Sequence, residues 1–248
     1  MMKKMAIIAC VLVLAGSNVF ATPVNSVTME HKGFGASDKI KIWGGGHKDK
    51  SITSGVFMFD KTAGTGTGEL IDDGLLGGFC VDLRQRVAKG SNVYEVIMPQ
   101  EGPRPVSLYG MGEAKAGYLS ELWGRYYDES WAAGGKYSKD QKNKAEAFGA
   151  AVWEIVYEDV PGVVGGWDVR TDGTRGSGGF RATGLDYQLA NSWLASLDGT
   201  GAMANLRVLS HDSGQDFLVV VPEPATVALF AIGGVFMLRK KKTDRVVV

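Results

Sequence analysis

The sequence has 248 residues, and its 27 basic and 27 acidic side chains leave no formal net charge at neutral pH. This length suits one domain or at most two. The part of the sequence between the two ends is acidic, because residues 22–221 hold 20 basic and 25 acidic side chains. An acidic domain without a basic cluster is a poor candidate for binding nucleic acid or an anionic lipid surface.

The first 21 residues have the pattern of a secretory signal peptide. Lys3 and Lys4 form a positive region, an apolar stretch covers residues 6–15, and small residues precede the expected cleavage site. We expect signal peptidase to cut after Ala21, so that the mature chain begins at Thr22.

Cysteine usage restricts how the exported chain is stabilised. Cys10 leaves with the signal peptide, which makes Cys80 the one cysteine of the mature protein. An oxidising compartment favours disulfides, but a single cysteine cannot form one within the chain. Stability must therefore come from packing.

Short strands are predicted on both sides of a helical region. Residues 22–38 are polar and irregular and predict a flexible lead. Alternating or β-branched runs then predict strands at 39–43, 55–59, 78–83, 92–97, 206–209 and 216–221. Two hairpins are expected, one joining 78–83 to 92–97 and one joining 165–171 to 179–183 through a glycine-rich tip.

Apolar spacing of three and four residues predicts three helices, over residues 108–131, 139–158 and 185–197. A capping box, Ser138 with Gln141, marks the start of the second helix. The aromatic stripe of the first helix favours a core position, although an exposed stripe would suggest carbohydrate stacking; it consists of Trp123, Tyr126, Tyr127 and Trp131. Because strands and helices do not alternate regularly, residues 22–220 predict an α+β domain, a mixed antiparallel β-sheet with about three helices.

Two short segments of this domain resemble the thioester domain of bacterial surface adhesins. They are residues 79–83, FCVDL, and residues 151–155, AVWEI. In that family a strand cysteine bonds to a glutamine four residues before the helix tryptophan. The resemblance places these partners at Cys80 and Gly149. Glycine has no carboxamide, so we expect a thioester-like scaffold that cannot form the bond.

Cys80 has several interpretations. The simplest is a small buried apolar side chain, because free cysteine is among the most buried residue types. A reactive thiolate would need a nearby cation or helix N-terminus. A hydrolase pairing Cys80 with His47 is a weaker alternative. We also expect the Cys80 strand to cross the α-helix at Gly149, where a glycine allows close packing. The three widely spaced histidines predict no metal site, and no cofactor is expected.

The C-terminal segment, residues 221–248, combines a motif, a short apolar run and a basic cluster. The motif is Pro222, Glu223 and Pro224, the run covers residues 225–238, and the cluster is Arg239, Lys240, Lys241 and Lys242. As a helix the run would measure about 21 Å at ~1.5 Å per residue, which is short for a hydrocarbon core of about 30 Å. The basic cluster would stop translocation and hold the C-terminus in the cytoplasm.

This tail resembles the PEP-CTERM sorting signal of Gram-negative bacteria, which an exosortase recognises in the membrane. The resemblance implies a precursor anchored in the inner membrane, with its domain in the periplasm and its final location at the cell surface or outside the cell. An ordinary membrane anchor is the alternative, although such anchors usually carry about 20 apolar residues.

Together these patterns predict a non-enzymatic, exosortase-sorted surface or extracellular-matrix protein that serves adhesion or matrix structure, with extracellular polysaccharide as a candidate partner. An extracellular hydrolase is the alternative, because Glu154, Glu158 and Asp159 cluster near a helix end. Paired carboxylates facing each other across a groove, about 5 to 10 Å apart, would favour a glycosidase.

Overall fold

A computed structural model describes residues 24–104, 110–171 and 179–222. The predicted signal peptide and its cleavage site at Ala21 and Thr22 lie outside the described residues. So do Glu223 and Pro224 of the sorting motif, the predicted membrane helix at residues 225–238 and the basic cluster, whereas Pro222 is the last residue described.

The described chain combines antiparallel strands with three α-helices, which agrees with the predicted α+β class. The strands are β1 Ser26–Gly44, β2 His47–Thr65, β3 Gly74–Cys80, β4 Ser91–Ile97, β5 Arg181–Thr183, β6 Leu206–Ser210 and β7 Phe217–Val220. The helices are α1 Glu113–Tyr126, α2 Lys139–Tyr157 and α3 Tyr187–Ala195. The chain order therefore places most strands before and after the helical region.

Six of the strands form a closed antiparallel ring. Their order around the ring is β1, β2, β3, β7, β6 and β4, and β4 pairs again with β1. Closure is possible because residues 26–30 of β1 pair with β2 on one side and with β4 on the other. The short β5 adds to the opposite end of β1. The ring leaves these six strands without a free edge along their paired segments.

Aromatic side chains fill the inside of the barrel. Phe217 lies with its ring centroid 4.6 Å from that of Phe59 and 5.2 Å from that of Phe57. Tyr94 reaches the same ring from β4. His31 also packs here, 5.5 Å from Phe59, and burial lowers the pKa of its imidazole. Offset and edge contacts of this kind stabilise an interior beyond the area they bury.

Helix α2 packs against the face of the sheet that points away from the Phe217 side chain. It is buried almost continuously from residue 145 to residue 157, and it contacts mainly β1 and β2. Phe148 of α2 packs against Phe79 of β3 at 4.7 Å. Trp123 and Trp131 complete this aromatic cluster, and both are buried, which is the core position expected for the stripe.

The predicted flexible lead is wrong, because β1 begins at Ser26 and covers most of residues 22–38. Val27 and Met29 do alternate towards the core, but bulges interrupt the alternation farther along. One bulge lies between His31 and Gly33, where Gly33 has a φ of 114°. A bulge adds a residue to one strand and shifts the two-residue period, which hides the strand in the sequence.

Both predicted hairpins are also corrected. Strand β3 pairs with β2 and β7, whereas β4 pairs with β1 and β6, so residues 78–83 and 92–97 are not neighbours. Strand β5 pairs with β1, and a hydrogen bond from the Ala182 N–H to the Val169 carbonyl connects it to residues 165–171. The tip of that predicted hairpin, residues 172–178, lies outside the described residues.

The helix boundaries differ from the predicted ones most at α1, while α2 and α3 lie within two residues of them. Helix α2 begins directly after Ser138, as its capping box predicted. Helix α1 is shorter than residues 108–131, because it starts after Gly112 and ends at Tyr126. Trp131 belongs instead to a separate 3₁₀ turn, which the side chain of Asp128 caps.

Candidate functional site

A pocket of about 560 Å³ opens where β3 ends and β7 begins. Ligand pockets commonly have volumes of about 300–1,000 Å³, and the mouths of β-barrels are frequent places for them. The lining combines aromatic and aliphatic side chains with amides and cations: Phe34, His47, Lys50, Ile52, Thr53, Phe57, Cys80, Leu83, Arg84, Gln85, Arg86, Val87, Trp153 and Gln215. These residues come from β1, from β2, from the end of β3 with the segment after it, from α2 and from the residues before β7.

Cys80 lies at the inner wall of this pocket and is only 2% exposed. Its Sγ donates a hydrogen bond to the Asp82 carbonyl oxygen at 3.1 Å. Burial raises the pKa of the Cys80 thiol, and the charge of Asp82 raises it further. A thiol held in this state is a poor nucleophile at neutral pH, because the thiolate is the reactive form.

The Cys80 backbone ties the barrel to α2. The Trp153 indole nitrogen donates to the Cys80 carbonyl oxygen at 2.7 Å, and both residues are buried. Four residues farther along α2, the Tyr157 hydroxyl accepts a hydrogen bond from the Leu83 backbone nitrogen at 2.7 Å. The wall of the pocket is therefore fixed from the helix side by two buried hydrogen bonds.

His47 lines the same pocket as Cys80, although 33 residues separate them in the sequence. The His47 Nε2 atom lies 2.7 Å from the Leu83 carbonyl oxygen. The Cys80 thiol is engaged with the Asp82 carbonyl. Each side chain thus binds a backbone carbonyl rather than the other side chain, which is not the arrangement of a nucleophile and its base.

Three cations surround the opening of the pocket. Lys50, Arg84 and Arg86 are exposed and line it, and no Asp or Glu belongs to the described residues of the lining. Within the described ranges no salt bridge engages any of the three. The acidic composition of the domain suggested no basic cluster, but the fold assembles one from two distant segments.

Gly149 lies where α2 touches β2. A Cβ atom built on Gly149 would lie 2.5 Å from Ser54 Oγ and 3.1 Å from the Gly55 nitrogen, both in β2. The nearest atom of β3 would be in the Phe79 ring, at 3.6 Å. We expect from the sequence that the Cys80 strand crosses here, but β2 makes the closest contacts, and the β3 atom among the three nearest belongs to Phe79.

The carboxylates that motivated the hydrolase alternative do not line this pocket. Glu154 and Glu158 are buried, and each accepts a backbone hydrogen bond, from Asp168 at 3.2 Å and from Phe180 at 2.6 Å. Asp159 is exposed. Glu154 and Glu158 therefore hold the segments at residues 168 and 180 against α2, whereas the glycosidase arrangement would place them across a groove.

The part of the chain that the structure describes contains neither a metal-binding cluster nor a membrane-spanning helix. Across residues 24–104, 110–171 and 179–222, no group of three or more His, Cys, Asp or Glu side chains could hold a metal ion. None of the helices in these ranges is long and apolar enough to cross a membrane. The predicted membrane helix at 225–238 lies beyond them.

Sequence reasoning missed most residues of the pocket. It singled out Cys80 and His47, but not the cations at 50, 84 and 86, nor Phe34 in the supposed flexible lead. The one local clue was Arg84 and Arg86, two cations spaced two apart directly after a predicted strand. Nothing in the sequence indicates that residues 34 and 215 approach the same cavity.

Comparison with known proteins identifies one segment. The model of the PEP-CTERM protein-sorting motif matches residues 220–242. No curated protein and no solved structure matches the chain. The motif implies an exported protein that an exosortase recognises. During sorting, such a protein is anchored by its C-terminus. The resemblance of the domain to thioester domains gains no support from these comparisons.

Proposed function

We propose that residues 22–220 form a non-enzymatic binding domain that acts at the cell surface or in the extracellular matrix, in adhesion or matrix structure. The observation that carries this proposal is the pocket beside Cys80, which offers a bound molecule an apolar wall and three cations but an unreactive thiol. The sorting motif supports a place of action outside the cytoplasm.

Within this proposal the domain is a thioester-like scaffold without thioester chemistry. The bond would need a glutamine side chain at position 149, and the glycine there has no room even for a Cβ atom. The Cys80 thiol is buried and hydrogen-bonded to its own strand end. Attachment to a partner would therefore be noncovalent and reversible.

The placement of Glu154 and Glu158 also supports binding rather than hydrolysis. Both carboxylates accept backbone hydrogen bonds and lie away from the pocket lining. A glycosidase would need two carboxyl groups facing a substrate. We therefore propose no catalytic residue, cofactor or metal for this domain.

The test uses the processed protein, collected from the outside of cells that express the full-length gene. Retention on extracellular polysaccharide and cell envelopes from the same cells is measured by co-sedimentation. We expect saturable retention that washing in denaturant fully reverses. A matrix of unrelated polysaccharide, such as dextran, serves as the control. Failure to bind any native surface material would contradict the proposed function.

Intact mass and thiol chemistry test the noncovalent part. We expect no loss of about 17 Da, the mass of the ammonia released when a thioester forms. We also expect Cys80 to react with iodoacetamide only after unfolding, because its thiol is buried and its pKa is raised. A mass deficit of that size, or fast labelling of the native protein, would show that a reactive site exists.

A further inference from the structure

We propose that the pocket beside Cys80 binds an anionic saccharide, one whose sugar rings carry carboxylates. This inference rests on the proposed binding function and names the class of its ligand. It is carried by charge complementarity, by one exposed aromatic ring and by neutral polar groups placed around the same opening.

The charge argument comes from Lys50, Arg84 and Arg86. All three line the pocket and are exposed, and within the described ranges none forms a salt bridge. In a domain with a net charge of −5, this opening is a local positive site. Arginine and lysine bind carboxylates through charge-assisted hydrogen bonds, which are stronger than neutral ones.

The carboxylate of Asp82, two residues before Arg84, does not cancel this site. Asp82 follows β3, but it is fully buried and lies outside the pocket lining. One of its oxygens accepts a hydrogen bond from the Arg84 backbone nitrogen at 2.9 Å. Burial raises the pKa of Asp82, and the charge of Arg84 opposes that rise. The Arg84 guanidinium keeps its exposed position at the opening.

The shape argument comes from Phe34 and Phe57. Phe57 is buried, but Phe34 packs edge-on against it at 4.9 Å and remains 45% exposed. An exposed ring beside a pocket provides a flat apolar surface on which the carbon face of a sugar can lie. A small inorganic anion would contact the cations without using this surface.

Neutral polar groups complete the lining. Gln85, Thr53 and Gln215 border the same cavity, and the side-chain oxygen of Gln85 is buried without a hydrogen-bond partner among the described residues. Gln215 is fixed by a hydrogen bond from its Nε2 to the Asp82 carbonyl at 3.1 Å. Sugar hydroxyls can donate to such an unsatisfied oxygen. An acidic sugar would therefore use the cations, the aromatic ring and the amides together.

The experiment uses the exported protein and a matched pair of probes, tri-galacturonic acid and its fully methyl-esterified form. Binding is measured by titration calorimetry and by the change in intrinsic tryptophan fluorescence, to which Trp153 of the pocket lining contributes. We expect the acid to bind and the ester to bind at least about tenfold more weakly, because esterification removes the charge-assisted contacts. Affinity for the acid should fall as salt concentration rises.

Variants separate the pocket from the overall charge. The double variant R84Q/R86Q should lose about tenfold or more in affinity for the acid. K136Q/K139Q changes the net charge equally at exposed lysines outside the pocket lining and should bind as the parent does. Phe34→Ala should weaken binding while leaving its salt dependence unchanged.

Each remaining outcome overturns the inference. Equal binding of acid and ester would show that charge does not determine affinity. Full competition by inorganic phosphate, added at the same total charge as the acid, would show that the sugar rings do not contribute to binding. Absence of binding to both trimers would reject acidic saccharide as the ligand class. In each of these cases, retention on native surface material that R84Q/R86Q leaves intact would show that the proposed binding function survives elsewhere on the domain.

Discussion

A Cβ atom at position 149 would lie 2.5 Å from Ser54 Oγ, closer than real Cβ atoms come to a neighbour. The Ser54 hydroxyl cannot move away freely, because it donates to the Glu146 carbonyl one turn earlier in α2 at 2.8 Å. A small residue in α2 and a short polar residue in β2 thus set the distance between helix and barrel.

We expect Gly149→Ala to destabilise the exported protein by about 1–3 kcal/mol, the usual cost of overpacking a core. The steric cost should outweigh the gain of about 1 kcal/mol in helix propensity. Urea unfolding measures the effect. Gly117→Ala is the matched control, because Gly117 lies within α1 with open space around it, so that variant should gain stability. Stabilisation by both changes would contradict the packing.

Glu146 shows how burial links one residue to pH. Burial raises the pKa of the Glu146 carboxyl to about 7, and repulsion from Asp38 adds to that rise. A glutamate in the unfolded chain has a pKa of about 4.3. Between these values the folded protein binds more protons than the unfolded chain, so this group's contribution to stability falls as pH rises from about 4.3 to about 7.

Glu146→Gln should therefore raise Tm at pH 8 by about 2–4 °C and leave it nearly unchanged at pH 5. Thermal unfolding at pH 5, 6, 7 and 8 tests this. A smaller slope should remain in the variant, because burial raises the pKa of Asp216 to about 6. Glu113→Gln, at an exposed position in α1, is the control. A gain at pH 5 equal to that at pH 8 would exclude titration as the cause.

At the scale of single elements, α2 has the most clearly defined start. Ser138 Oγ accepts from the Gln141 nitrogen at 3.1 Å, and Gln141 Oε1 accepts from the Ser138 nitrogen at 2.9 Å. These two bonds satisfy backbone donors that no helical carbonyl can reach. The cap directs a helix whose later turns are buried against the barrel.

We expect Ser138→Ala to cost about 1 kcal/mol, because it removes the side-chain acceptor of the cap. Ser192→Ala is matched in chemistry but not in role, since the Ser192 hydroxyl only donates back to the Leu189 carbonyl within α3. That control should change stability little. The urea midpoints of the two variants, measured side by side, test this prediction. Equal losses of stability would argue against a role of the cap.

Elements that are marked by local signals are the ones that the sequence predicts well. Helix α2 is predicted to within one residue, because a capping box and a regular apolar period mark it locally. Strand β1 is missed over residues 26–38, because its bulges and glycines break the two-residue period. The pairing of β3 with β7 joins residues about 140 positions apart, and no local pattern records that contact.

At the scale of the whole molecule, the candidate site follows from barrel closure. Cys80 and His47 are visible in the sequence as reactive residue types, but their shared pocket depends on β2 and β3 being neighbours. The cations at 50, 84 and 86 are ordinary surface residues in the sequence, and only the fold gathers them. Five segments assemble this pocket, so predicting it requires the strand order of the barrel, and no local sequence motif is sufficient.

Sorting also concerns the whole molecule. Replacing Pro222, Glu223 and Pro224 together by alanine should abolish exosortase processing, since these residues form the motif within the matched segment. We expect full-length protein to accumulate in the membrane fraction, detected by immunoblotting of fractionated cells. Alanine at residues 243–245, beyond the match, should leave processing intact. Normal release of the first variant would show that another signal directs sorting.

The last strand of the barrel ends at Val220, and Val221 is still buried and bonded to the Asn205 carbonyl at 2.8 Å. The motif follows with no spacer, and the five residue steps from 220 to 225 reach at most about 18 Å when fully extended. A precursor with the predicted membrane helix would therefore rest its folded body almost directly on the lipid headgroups. An enzyme embedded in the same bilayer would then work within a short distance of both the motif and the last strand of the barrel.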